Sequence, residues 1–222
     1  MVRQLPSRVH SAVVIGVVVL GALATAGAMA QEQPALQGDA QRGKAKSYTC
    51  LGCHGIVGYK NAYPNYSVPE LEHQHPEYLA TALKGYRDGD RAHLTMHSQA
   101  STLSDQDIAD IVTYFAGKPL STTNKPQGTV PPAAQLCTSC HGQDGVGITN
   151  QYPTLAGQHP DYLARAIEEY KKGGRKNPVM TGMAAQIKEA DIPVIADYFS
   201  KLKPSLSTEE RPYTSLGMSH EH

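Results

Sequence analysis

The 222-residue sequence predicts an all-α protein made of two tandem, similar lobes, and three observations carry that reading. A duplication runs through the chain. Apolar residues recur with a helical period inside each copy. No alternating apolar and polar run is long enough to read as a strand.

The duplication is plain residue by residue. Cys50-Leu51-Gly52-Cys53-His54-Gly55 returns as Cys137-Thr138-Ser139-Cys140-His141-Gly142 at an offset of 87. Pro69-Glu70-Leu71 returns as Pro153-Thr154-Leu155 at an offset of 84, so the first copy holds three extra residues between these blocks. From there the offset is constant. Gln74-His75-Pro76 pairs with Gln158-His159-Pro160; Tyr86, Arg91 and Met96 pair with Tyr170, Arg175 and Met180.

Helices follow from spacing and punctuation. After His75-Pro76 the positions Tyr78, Leu79, Ala82, Leu83 and Tyr86 share one helical face, and proline suits a first turn. The second copy repeats the face with Tyr162, Leu163, Ala166, Ile167 and Tyr170. Ser104 with Asp107 three residues on predicts a capping box, Ile108, Ile111, Val112 and Phe115 a buried stripe, and Gly117-Lys118-Pro119 a stop. Ile192, Ile195, Ala196 and Phe199 repeat that stripe. The copies differ upstream of their motifs. Gly38 to Tyr48 leaves room for a helix before Cys50, whereas Pro131-Pro132 stands shortly before Cys137, so the second lobe is expected to lack a first helix.

The N-terminus reads as an export signal. Arg3 and Arg8 precede an apolar run from Ala12, and Ala28-Met29-Ala30 fits a small-x-small cleavage site. The rival is an uncleaved anchor, since Ala12 to Ala30 is near the minimum for crossing a bilayer. Either way the remainder is expected outside the cytoplasm, in the periplasm. The predicted organisation is a signal over 1–30 cleaved after Ala30, a first lobe over 31–117 and a linker over 118–132. A second lobe over 133–203 and a flexible polar tail over 204–222 complete it. The linker carries four prolines and should be extended. Met218, His220 and His222 in the tail read as solvated rather than ligating.

All four cysteines lie in two C-x-x-C-H motifs, the spacing for c-type haem attachment. Cys50, Cys53, Cys137 and Cys140 would add to haem vinyl groups, and His54 and His141 would each ligate an iron. Redox disulfides leave both histidines unexplained, and the 83 residues between Cys53 and Cys137 far exceed zinc-ribbon spacing. Met96 and Met180, at equivalent places, are the candidate sixth ligands, with His93, His97 and Met183 as rivals; a thioether raises the iron potential. Pro69 and Pro153 could offer a carbonyl to the free ring nitrogen of each histidine. Arg91 and Arg175 could meet haem propionates or could equally be solvated.

With these residues in view, the sequence resembles the dihaem cytochrome c4 family, built from two class I cytochrome c lobes. The flanks Tyr152-Pro153-Thr154-Leu155-Ala156-Gly157-Gln158-His159 and Arg175 to Met183 look especially similar, and the likeness spans about residues 38–203. It implies two class I cytochrome c-like domains, each wrapped around one covalently bound haem c. It also implies an electron carrier rather than an enzyme, serving redox proteins and donating towards a terminal oxidase. A subunit of a dehydrogenase or oxidase complex is the alternative; a dihaem peroxidase needs an open iron, which two equivalent methionines argue against. No small-molecule substrate is expected. Formal charge is zero, or −2 after loss of the two signal arginines, and no run of one sign suggests nucleic acid.

Overall fold

The structure is a computed structural model and describes residues 37–62 and 64–209. The expected signal over 1–30 and the tail beyond residue 209 lie outside the described residues.

Lobe one begins with α1 (Ala40–Lys46), capped where Asp39 accepts from Arg42 N at 2.8 Å, and α2 (Tyr48–His54), which carries the first motif. Then come α3 (Pro76–Asp88), α4 (Leu94–Ala100) and α5 (Asp105–Ala116). Pro76 occupies the first turn of α3, and Gly89 ends it at φ 83°, a left-handed conformation that glycine adopts without strain. The Ser104–Asp107 capping box is formed.

Lobe two opens with a 3₁₀ turn over Pro132–Ala134 that leads into α6 (Gln135–His141), the carrier of the second motif. It continues with α7 (Pro160–Lys171), α8 (Pro178–Ala185), a 3₁₀ turn over Glu189–Asp191 and α9 (Ile192–Ser200). Among the described residues β structure is limited to three isolated bridges.

The predicted stripes are the cores. Ile108, Ile111, Val112 and Phe115 cluster with Leu79 in lobe one; Ile192, Ile195, Ala196 and Phe199 cluster with Leu163 and Ile167 in lobe two. Each Val, Leu, Ile or Phe among them contributes about 1.5–3 kcal/mol on burial. α1 packs across α5 in lobe one, and among the described residues lobe two has no counterpart of α1. Val130, Ala133 and Ala134 pack on the lobe-two core instead.

Residues 118–131 form neither helix nor strand, yet the segment is closely fastened. Buried Asp144 accepts from the Thr122 and Thr123 hydroxyls and from Thr123 N and Asn124 N. Gln127 Oε1 accepts from Lys203 N at 3.0 Å.

The start of the expected flexible tail is held too. Leu206 is buried and donates its N–H to Ala156 O at 2.9 Å, while Glu72 N donates to Ser207 O at 3.2 Å. An apolar residue with buried surface to cover keeps the chain on both lobes through Ser207.

Candidate haem sites

α2 and α6 are seven-residue platforms of about two turns. Cys50, Cys53 and His54 lie on one, Cys137, Cys140 and His141 on the other, and all four thiols are free. Burial pushes the Cys50 and Cys137 thiols above their ordinary range, so both are protonated at neutral pH.

The histidines are placed by matching contacts. His54 Nδ1 donates to the Pro69 carbonyl at 3.1 Å, and His141 Nδ1 donates to the Pro153 carbonyl at 2.8 Å. Phe115 and Phe199 meet them edge-on, with ring centroids 6.2 Å and 6.5 Å away. Burial is the main cause that lowers both imidazole pKa values, so each ring is neutral and its Nε2 lone pair is available to a metal.

The methionines are placed alike as well. Met96 is the third residue of α4, where His93 Nδ1 accepts from its N–H at 3.2 Å; Met180 is the third of α8, where Asn177 Oδ1 accepts at 3.0 Å. His93, a rival ligand in sequence, therefore serves as a helix cap. His97, another rival, directs Nδ1 to the Tyr86 carbonyl at 2.8 Å.

In lobe one these groups share a single cleft of about 1410 Å³, counting its open mouth. Cys50, Cys53 and His54 line it together with Met96, and Leu79, Leu83, Ile111 and Val112 are among its apolar walls. In lobe two Cys137 and Met180 border the same apolar cluster, which includes Phe199, the ring beside His141. No cluster of three or more His, Cys, Asp or Glu able to hold a metal ion exists among the described residues, so the two cysteine pairs form no joint zinc site there.

The arginines are not solvated. Arg91 and Arg175 are buried where the lobes meet, joined by an isolated antiparallel bridge. Arg91 lines the cleft and donates to Tyr78 Oη at 3.1 Å, with its guanidinium 5.4 Å from the Tyr86 ring centre. It meets no carboxylate among the described residues. Arg175 Nε donates to Glu169 at 2.6 Å, and Arg165 Nε lies 2.7 Å from the same carboxylate. Two guanidiniums share the Glu169 carboxylate and Arg91 has none, which leaves surplus positive charge that calls for an anion.

These residues fit a haem. The donor set offers two thiols, a neutral imidazole and a thioether around an apolar cleft, and the surplus guanidinium charge suits propionates.

The sequence pointed to the cysteines, histidines, methionines and arginines. It showed Gln74 and Gln158 as a repeated pair without assigning them a task. Both are buried at the lobe boundary, where each bonds the chain just after the other lobe's histidine-bearing proline.

A family model described as Cytochrome c matches residues 40–117 and 133–203. Cytochrome c4 of Pseudomonas aeruginosa is 36% identical over 182 residues, covering 74% of this chain and 89% of that protein. The thiosulfate dehydrogenase electron acceptor of Thiomonas intermedia is 28% identical over 210 residues, covering 86% of this chain and 94% of that protein. The crystal structure of reduced recombinant cytochrome c4 from Pseudomonas stutzeri matches with a TM-score of 0.59 at 30% identity. That match covers 74% of this chain and 99% of the other.

Proposed function

The chain belongs to the dihaem cytochrome c4 family, and from that premise we propose that it works in the periplasm, relaying single electrons from a redox partner towards a terminal oxidase. It carries two covalently bound haems c and is an electron carrier rather than an enzyme. Haem c supplies a one-electron iron couple when bound.

In this reading the chain's residues do the rest. Cys50 with Cys53, and Cys137 with Cys140, would anchor the two groups by thioether bonds. His54 and His141 would ligate the irons, their ring orientation set by the Pro69 and Pro153 carbonyls. Met96 and Met180 would each offer a thioether to an iron, which would leave it closed to a substrate and would raise its potential. Arg91 and Arg175 would neutralise propionates at the lobe boundary, and the apolar walls would exclude water from the ligands.

The observation that supports this best is the paired arrangement: a histidine on a proline carbonyl and a capped methionine, repeated in both lobes. The test is optical and magnetic spectroscopy of the purified, oxidised protein. Two low-spin, methionine-ligated haems per chain are expected; substantial high-spin iron would refute the closed-site carrier. Cell fractionation checks the compartment.

A second reading is favoured by the similarity to the thiosulfate dehydrogenase electron acceptor. Here the chain would take electrons directly from a periplasmic dehydrogenase, as a partner or a subunit. Stoichiometric copurification with a catalytic protein under mild conditions would favour it over the free carrier.

A further inference from the structure

The peptide that orients each motif histidine lies in the histidine's own lobe, yet its N–H is held by a glutamine of the other lobe. His54 Nδ1 donates to the Pro69 carbonyl, and the N–H of that same peptide, on Glu70, donates to Gln158 Oε1 at 3.0 Å. In lobe two His141 Nδ1 donates to the Pro153 carbonyl, and the N–H of that peptide, on Thr154, donates to Gln74 Oε1 at 2.8 Å. Each glutamine completes a two-bond clasp by donating Nε2 to the next carbonyl, Glu70 O at 3.0 Å or Thr154 O at 2.9 Å. Gln74 and Gln158 are 3% and 4% exposed, and each Oε1 also accepts a local N–H, from His75 or His159, which pins the side chain.

We propose that Gln74 and Gln158 are crossed positioning residues, each setting the potential of the haem in the opposite lobe through the proline peptide and the axial histidine. The proposal rests on the reading of His54 and His141 as axial ligands. An amide is one conjugated unit, so an acceptor at its N–H end polarises its carbonyl and strengthens the bond that carbonyl receives. A stronger bond from Nδ1–H makes the imidazole a more basic ligand. A more basic ligand favours ferric iron and lowers the potential. Lobe docking thus adjusts both irons at once, although neither glutamine touches a ligand.

The test uses the full dihaem protein and a redox titration resolved into two components. Met96→His and Met180→His each lower one component and so assign the pair. Gln158→Met removes both clasp bonds at similar volume. It is expected to raise the component of the His54 haem and to leave that of the His141 haem in place. Gln74→Met is expected to do the reverse, and the Asn variants to give smaller shifts of the same sign. Lys176→Ala, which cuts a cross-lobe ion pair with Asp90 at 3.2 Å, leaves both components unmoved. A shift in the glutamine's own lobe, equal shifts in both, or no shift overturns the proposal. Should the glutamine variants not accumulate, hydrogen exchange in the wild-type protein decides. The Glu70 and Thr154 amides must be protected as well as those of α5 and α9, and free exchange overturns the clasp. Failure of the underlying ligand reading looks different: the wild-type spectrum would then lack two low-spin, histidine-and-methionine-ligated haems.

Discussion

A Cβ placed on Gly43 would stand 2.0 Å from the Asp110 carbonyl oxygen, so the first and last helices of lobe one touch backbone to backbone. The two are bound again by charge: Arg42 Nε donates to Asp110 Oδ2 at 2.8 Å, and that carboxylate is buried. Lobe two has no matching crossing among its described residues, although its core stripe is the same.

Gly43→Ala should therefore destabilise lobe one selectively. Overpacking a tight site costs about 1–3 kcal/mol, and here the obstacle is backbone rather than a mobile side chain. Chemical unfolding followed at each haem should show the lobe-one transition moving first. A neutral result would mean the helices can separate at no cost.

Acid should loosen the same crossing. The Lys46 ammonium, followed by the Ser104 hydroxyl and N–H, holds the Asp107 carboxyl down to about 2, and Arg42 holds Asp110 well below the usual range. Both are depressed on folding, so their contribution is complete above the unfolded value of about 3.9 and is lost as pH falls through the folded one. Thermal midpoints measured from pH 7 downwards should drop between about pH 4 and 2, and Asp107→Asn should flatten part of that slope. An unchanged slope in the variant would remove Asp107 from the account.

Asp144→Ala should release the linker. Asp144 is 1% exposed and gathers the hydroxyls and N–H groups of residues 122–124, so its loss strands several donors, at about 1–3 kcal/mol. Limited proteolysis should then cut within 118–131 well before either lobe opens. Equal resistance in the variant would show that Gln127 and Val130 suffice to hold the segment.

Two distinguishable potentials are expected from one duplicated design. Beyond Pro69 the chain carries Glu70, whose carboxylate meets His159 Nε2 at 3.0 Å; beyond Pro153 it carries Thr154, whose buried hydroxyl has no hydrogen-bond partner among the described residues. A carboxylate favours the ferric state nearby, so Glu70→Gln should raise the component of the His54 haem more than the other. A wild-type titration fitting a single potential for both haems would count against this asymmetry.

Much of this protein could be read in the chain. The α3 and α7 faces, the Ser104 box and the stripes on α5 and α9 were legible because helical periodicity and capping act over a few residues. The motif cysteines and histidines were legible because their chemistry depends on spacing within one turn. Met96 and Met180 stood out because duplication kept them while their neighbours changed.

What remained hidden depends on surfaces meeting at long range. Arg91 and Arg175 looked equally suited to solvent until the lobes closed over them, and residues 204–207 looked like free tail until Leu206 found a buried place. The glutamines are the clearest case. The sequence by itself determined that two similar haem-binding lobes would form, since local spacing supplies each motif, helix and stripe. Only the tertiary structure decided that each lobe grips the peptide behind the other's histidine, because that bond joins residues 80 and 88 positions apart and exists only where the two surfaces meet.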